Sequence, residues 1–336
     1  MKKILLLASL FLFLFSQPLR SEEQKGFGPL TVQTQNPLLE LFLQAPSETP
    51  HTLGSGHFRF EIQETLSNIF ERENAANGST NDLDMELYKT AFSFSYGLGK
   101  RYELGIKLPF LSFSGGFLDA FIQNYHNTFG FPNAGREEVP NGRFNYSVKI
   151  PSGTYAPKKT DFGLSNIELY FKTRILDEEK WAPALSLRAT LKVPTGKKSE
   201  GLGSGNPDFH FNLALEKSYK IFHSYTNLGF LFLGGMEELN SNLHRSIFSF
   251  SQSFEVQFCS VASVLAQIQG SSPYFKDTGL ASLDEIPLDL VIGFKGKGND
   301  KGPWEHFRWE LAFAEDLVPS GPSVDFSLHF NLGAEF

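Results

Sequence analysis

The sequence predicts an all-β chain: a transmembrane antiparallel outer-membrane β-barrel of about twelve strands, with a short helix in its longest extracellular loop. Three observations carry that prediction. The last twelve residues, DFSLHFNLGAEF, put Phe326, Leu328, Phe330, Leu332, Ala334 and Phe336 on one face and Asp325, Ser327, His329, Asn331, Gly333 and Glu335 on the other. Strict alternation over about ten residues is the length of a tilted membrane strand, longer than the usual soluble one. The connections between such segments alternate short and long, as periplasmic turns and outer loops do. Finally, the chain holds 35 Phe and 30 Gly, yet after its first twenty residues no stretch approaches the 18 or so apolar residues of a membrane helix, so the apolar surface is spread over strands.

The elements follow in order. Residues 1–21 read as a secretory signal peptide: Lys2 and Lys3 precede the apolar run Ile4 to Phe15, and small and polar residues lead to a cut after Ser21. Losing Lys2, Lys3 and Arg20 with the signal takes the net charge from −7 to about −10, so nothing points to a nucleic-acid partner. The single Cys259 excludes an internal disulfide framework. Residues 22–55 form an N-terminal segment with no evident partner, expected to plug or line the periplasmic mouth; the alternative is that it adds a strand and moves the count to fourteen. The barrel itself spans 56–336.

Alternating strands are expected near 57–69, at 88–98, 102–110, 167–175, 185–193 and 208–216, near 221–233, at 248–258, near 260–269 and 286–295, and at 307–313 and 325–336. Only GLGK, LDEEK, KSYK, a tight turn near Cys259 and KGKGNDKGP join alternate pairs. The other connections are long: 71–82, 114–161, 194–206, 234–245, 270–285 and 314–324. An even strand number places both termini in the periplasm. Phe and Leu would face acyl chains, and small and charged residues a wet lumen.

In the longest loop, GGFLDAFIQNYHNTFGFP (115–132) has helical period. Phe117, Leu118, Phe121, Ile122 and Tyr125 form one stripe, and Asp119, Gln123, His126 and Asn127 another. A helix of barely three turns must bury its apolar stripe, so we expect a lid in the outer mouth with the polar stripe facing the path. Charges of both signs share the inward phase; Glu168, Arg174, Arg188, Arg308 and Glu310 are the candidates for lining a constriction.

Several stretches resemble one family of Gram-negative outer-membrane proteins that is catalogued only as a domain of unknown function. They are QNPLLELF (35–42), LDMELYKTAFSFSYGL (83–98), GGFLDAFIQNYHNTFGFPNAGRE (115–137), LKVPTGKKSEGLGSG (191–205), SPYF (272–275) and AEDL (314–317). The resemblance implies a location, the cell outer membrane, and an architecture; it brings no substrate and no active-site residues. It also implies that the C-terminal aromatic, Phe336, acts as the assembly signal read by the barrel-assembly machinery. Outer-membrane lipid and lipopolysaccharide are the expected surroundings.

Enzymatic chemistry finds little support. PTGKKSEGLGSGN fails the phosphate-loop spacing, because the first Gly would have to stand where Leu191 is. No HxH, HExxH or Cys pair suggests a metal, no cofactor is implied, and no His falls on the lipid-facing phase that a membrane lipase needs. The function expected is therefore a narrow channel or facilitator for a small polar or amphipathic solute. The alternatives are a structural or surface-interaction protein and, behind it, a lipid hydrolase. An open lumen would favour the channel, and a filled one the structural protein.

Overall fold

In the computed structural model the described residues are 25–130, 133, 135–299, 302, 304–322, 324 and 326–336, with the backbone alone at 126 and 129. The signal peptide therefore lies outside them. The first strands are β1 (Phe58–Asn74), β2 (Thr80–Gly97), β3 (Tyr102–Ser114), β4 (Asn145–Ile150), β5 (Gly153–Tyr155), β6 (Gly163–Leu164), β7 (Ile167–Leu176) and β8 (Ala184–Val193). They continue as β9 (Asp208–Tyr219), β10 (Phe222–Leu233), β11 (Ser246–Cys259), β12 (Ala262–Ser271), β13 (Leu288–Lys297), β14 (Phe307–Asp316) and β15 (Phe326–Glu335). The short strands β4, β5 and β6 belong to the long loop: β4 pairs onto the rim of β2 and carries β5, and β6 pairs onto β3. The other twelve form a closed antiparallel barrel.

Closure occurs between β1 and β15, in register from Arg59 opposite Glu335 to Asn68 opposite Phe326. Phe336 completes this seam: its N–H donates to the Phe58 carbonyl, the Phe58 N–H donates back, each at 2.8 Å, and the two rings stack at 5.2 Å. Closure leaves no strand edge unpaired in hydrocarbon, where an unsatisfied backbone group costs several kcal/mol or so. The outward phase carries the apolar belt: Phe60, Phe94, Leu104, Phe171, Phe211, Phe254, Phe294 and Phe330 are each at least 40% exposed. No described helix is long and apolar enough to cross a membrane.

Two expectations need correction. Residues 71–82 are not an outer loop but the top of a hairpin, because β1 and β2 stay paired from Phe58 opposite Tyr96 to Asn74 opposite Thr80. The two strands run well beyond the belt, and apart from Phe70, which Arg136 covers, the outward positions named here are polar or charged: Asn68, Arg72, Asp82, Asp84 and Glu86. The lumen is not simply wet either. Residues 25–57 occupy it, and its outer end is an apolar core that joins Leu38, Leu39, Leu41, Phe42 and Leu43 to Leu83, Met85, Leu87, Leu111 and Phe113 of the wall and to Leu202, Leu239, Tyr274 and Phe275 of the outer loops.

Candidate functional site: the occupied lumen

The N-terminal segment runs up one side of the lumen, turns, and comes back. On the way up its backbone N–H groups are met by wall side chains: Phe27 donates to Glu255 at 3.0 Å, Leu30 to Gln267 at 3.0 Å and Thr31 to Glu310 at 2.8 Å. Lys295 pairs with Glu310 at 3.0 Å and donates to the Pro29 carbonyl at 2.7 Å. The turn at the top is a short 3-10 helix, Leu39–Leu41, fully buried. On the way down Ser47 meets Ser251 at 2.8 Å, Thr49 donates to Glu216 at 2.7 Å and the Leu53 N–H donates to Glu103 at 2.8 Å. Both ends of the hairpin lie at the short-turn, periplasmic end of the barrel: Phe27 beside Glu255 near the β11–β12 turn, and Gly56 donating to Gly97 at 2.9 Å near the β2–β3 turn. The approach there is close, since a Cβ on Gly97 would sit 2.0 Å from the Gly54 carbonyl oxygen.

An extended segment cannot satisfy its own N–H groups, so in a lumen each must find an acceptor. Inward carboxylates and amides of β9–β12 and β14, with Glu103 of β3, are such acceptors. The segment's own two lumen carboxylates meet cations on the opposite wall. Glu40 binds Lys89 at 2.8 Å. Glu48 binds Lys172 at 3.2 Å and Arg188 at 3.4 Å, and accepts from Asn212 at 3.2 Å. Near the top, Lys192 and Asp208 form a pair at 2.6 Å with both side chains at most 2% exposed. Lys192 also donates to the Leu41 carbonyl and the Ser204 hydroxyl, and Asp208 accepts from the Leu43 N–H at 2.8 Å and the Gly234 N–H at 2.9 Å. One pair thus ties the wall, the segment and two outer loops together. A cavity of about 40 Å³, lined by residues such as Gln33, Thr34, Ser47, Asn227, Gln269 and Tyr274, remains between segment and wall, room for a few waters.

Of the residues expected to line a constriction, Arg188 and Glu310 bind the segment directly. Glu168 lines a smaller cavity with Glu40, Lys89 and Lys192. Arg174 and Arg308 sit instead at the periplasmic rim. Arg174 pairs with Asp177 at 3.2 Å and donates to the Lys100 carbonyl, and Arg308 donates to the carbonyls of Glu305 and Phe307. Sequence reasoning missed Glu40, Glu48, Lys89 and Asn212. The signal was available for the first two: a carboxylate inside PLLELFLQAPSE needs a partner if that run is buried.

The helix α1 (Asp119–Phe129) is not a lid in the mouth. Its Asp119 accepts from Asn68 at 3.1 Å and from the Gly142 N–H at 2.7 Å, and Asn68 stands on the outward phase of β1. Glu86, outward on β2, accepts from the Phe117 and Leu118 N–H groups and so places its charge at the helix N-terminus. Arg136 lies over the Phe70 ring at 4.9 Å and donates to Asn68. Gln123 bonds Asn141 and Asn127 bonds Asn133, both within the loop; the His126 side chain lies outside the described residues. The physical reason is occupancy: the inner mouth is already filled by the 38–43 turn, so the helix buries Ile122 against the outside of the wall. Phe121 packs edge-on to Phe326 at 5.9 Å, at the top of the belt.

This docking has a pH signature. Burial, reinforced by the neighbouring Asp119, pushes the Asp84 carboxyl up to about 6, against the opposing pull of Arg143 and Arg136; Asp82 adds to the rise. A raised carboxyl binds more protons folded than unfolded, so its contribution falls as pH rises between about 4 and about 6 and is flat above. The Asp84→Asn variant should therefore melt at the same temperature at pH 5 and pH 7, whereas the unaltered protein should melt higher at pH 5, other groups being equal. An identical pH 5-to-7 shift in both proteins would remove Asp84 from the account.

Residues 5–336 match the family described as protein of unknown function DUF3187. The chain belongs to that family. No curated protein sequence matches it. Among solved structures, this DUF3187 chain is similar to the COG4313 outer membrane channel from Pseudomonas putida F1, at 12% identity and TM-score 0.53, covering 85% of this chain and 97% of that one. It is also similar to the NanC porin, at 7% identity and TM-score 0.45 over 82% of this chain and 98% of that one, and to a TodX monoaromatic hydrocarbon channel mutant, at 9% identity and TM-score 0.39 over 85% of this chain and 91% of that one. The first likeness bears on fold alone: the DUF3187 chain is an outer-membrane β-barrel.

Proposed function

We propose that this protein is a narrow outer-membrane channel or facilitator for a small polar or amphipathic solute, closed by its own N-terminal segment in the state described. The observation that carries the reading is how the lumen is filled. The filler is one hairpin with both ends at the periplasmic mouth, so it can withdraw without threading, and outside its apolar turn and a small cluster of Leu30 and Val32 with Leu265, Val291, Ala312 and Ala314, polar groups hold it. Such contacts exchange for water at modest net cost, about 0.5–1.5 kcal/mol per hydrogen bond. The barrel left behind would stay closed, with a largely polar wall below an apolar outer end. Phe336, at the seam, would serve as the assembly signal for insertion.

The test locks the hairpin. The Ser47 and Ser251 hydroxyls are 2.8 Å apart. In a Cys259→Ser background, Ser47→Cys with Ser251→Cys should give a protein that conducts in planar bilayers when reduced and is silent when oxidised. Equal conductance in both states would show that the hairpin does not gate. Silence in both states, and in the unaltered protein, would favour the second reading, a structural or surface-interaction protein, for which the apolar seal at the outer end of the lumen speaks.

A further inference from the structure

Lys172, Arg188 and Asn212 stand in one row across three neighbouring strands: Lys172 is opposite Arg188 on β7 and β8, and Arg188 is opposite Asn212 on β8 and β9. All three converge on one carboxylate, that of Glu48. Asn227 of the next strand takes the same residue's backbone, accepting from its N–H at 3.3 Å and donating to its carbonyl at 3.2 Å. The site is built: Lys172 is 4% and Asn212 1% exposed. Arg188 is held in place from behind, with its guanidinium 3.7 Å from the centre of the Tyr170 ring and a bond to Thr190. Tyr170 has room for this because position 105 is glycine; a Cβ there would meet its ring at 2.1 Å.

Two wall carboxylates, Glu168 and Glu103, act on Arg188 from a distance, but the contact ion pairs of the row are made with the hairpin. Glu103 is the row's next member, opposite Lys172 on β3, but its carboxylate accepts from Tyr170 and from the Leu53 N–H. Among the described residues, the ion pairs of Lys172 and Arg188 are with Glu48. The arrangement recurs higher in the lumen, where Lys89 takes Glu40. Two cations buried side by side need an anion, because desolvation without compensation is expensive. When the hairpin withdraws, the row loses its anion, and in a narrow lumen the replacement must come from what enters it.

Resting on the channel reading above, we infer that this row is the binding site for a small solute bearing a carboxylate, and that Glu48 is an internal stand-in that the solute replaces. Arg188 and Lys172 supply the charge, Asn212 orients the carboxylate, and Asn227 offers both a donor and an acceptor to the part of the solute next to it.

The experiment uses the detergent-purified full-length protein, with butyrate as probe and the uncharged butyramide as control, and titration calorimetry as readout. Glu48→Gln vacates the charge without shortening the hairpin. That variant should bind butyrate at least tenfold more tightly than it binds butyramide, and at least tenfold more tightly than the unaltered protein binds butyrate. Adding Lys172→Gln or, separately, Arg188→Gln should abolish the preference; heat-modifiable migration verifies that each barrel is folded, and the lysine variant serves if the arginine variant is not. A Glu48→Gln protein that does not prefer butyrate to butyramide overturns the inference, as does a preference that survives loss of both cations. Bilayer conductance of the same preparations reports separately on the channel reading: conductance without carboxylate binding leaves the channel and removes this site, and binding without conductance does the reverse.

Discussion

Replacing Asp208 by Ala is expected to destabilise the folded barrel by about 3–5 kcal/mol, the usual result of breaking a fully buried ion pair. The size comes from what is left behind. Lys192 keeps its charge with the Leu41 carbonyl and the Ser204 hydroxyl alone, and the N–H groups of Leu43 and Gly234 lose their acceptor. Each orphaned buried donor adds about 1–3 kcal/mol of its own, although the contributions are not independent. Asp208→Asn should cost less than the alanine change but not be neutral, because Leu43 and Gly234 donate to different carboxylate oxygens and the amide keeps an acceptor for only one of them. Pairing Asp208→Leu with Lys192→Met should recover the part due to the unpaired lysine, because the neighbouring core of Leu41, Phe42 and Leu202 is apolar, but not the part due to the two orphaned N–H groups. Urea unfolding in micelles checks the series. A loss under about 1 kcal/mol for Asp208→Ala would mean that water or a shifted loop replaces the carboxylate, and that the pair does not anchor the hairpin.

The second large effect is on occupancy rather than on the barrel. Leu41→Asp puts a carboxylate into the apolar core at the top of the hairpin, beside Leu43 and the Asp208 carboxylate that Leu43 binds. A buried unpaired charge is not sustained; the group neutralises or the segment moves. Here the segment is free to move, because the backbone pairing of the barrel is complete without it, from β1 round to β15. The expected result is a folded, heat-modifiable barrel that opens in bilayers far more often than the unaltered protein, and whose residues 25–55 are cut by protease added to the periplasmic face. Leu41→Ala should act in the same direction and less strongly, in keeping with the roughly 2–5 kcal/mol of a buried Leu truncation. A Leu41→Asp protein as silent and as protected as its parent would show that the polar contacts lower down hold the hairpin unaided.

The two effects locate the gate in different terms. Asp208 and Lys192 couple wall, hairpin and outer loops, so losing them weakens everything they join. Leu41 meets the wall and loops through the shared core but takes no part in the barrel's backbone pairing, so its substitution acts on occupancy before it acts on the barrel.

By itself the sequence determined the barrel. A period of two is a local property, readable wherever residues such as Phe326 to Phe336 or Tyr88 to Leu98 alternate, because lipid on one side and a polar interior on the other sort every strand in the same way. Strand count followed from the period and the sorting of connection lengths, except where Asn68 to Asn74 and Thr80 to Glu86 leave the belt and their outward phase turns polar. That hid the upper end of the β1–β2 pairing, from Phe70 opposite Asp84 to Asn74 opposite Thr80. The tertiary structure alone decided what fills the lumen and where α1 goes. Residues 25–57 have no period of their own, since their N–H groups are satisfied by side chains hundreds of positions away, as Thr31 is by Glu310. The apolar stripe of α1 says only that it must bury something, and both faces of the wall offered a place. The inner one was taken by Leu38 to Leu43, which left Asp119 to Asn68 on the outside and gave the lumen cations Lys172 and Arg188 to Glu48.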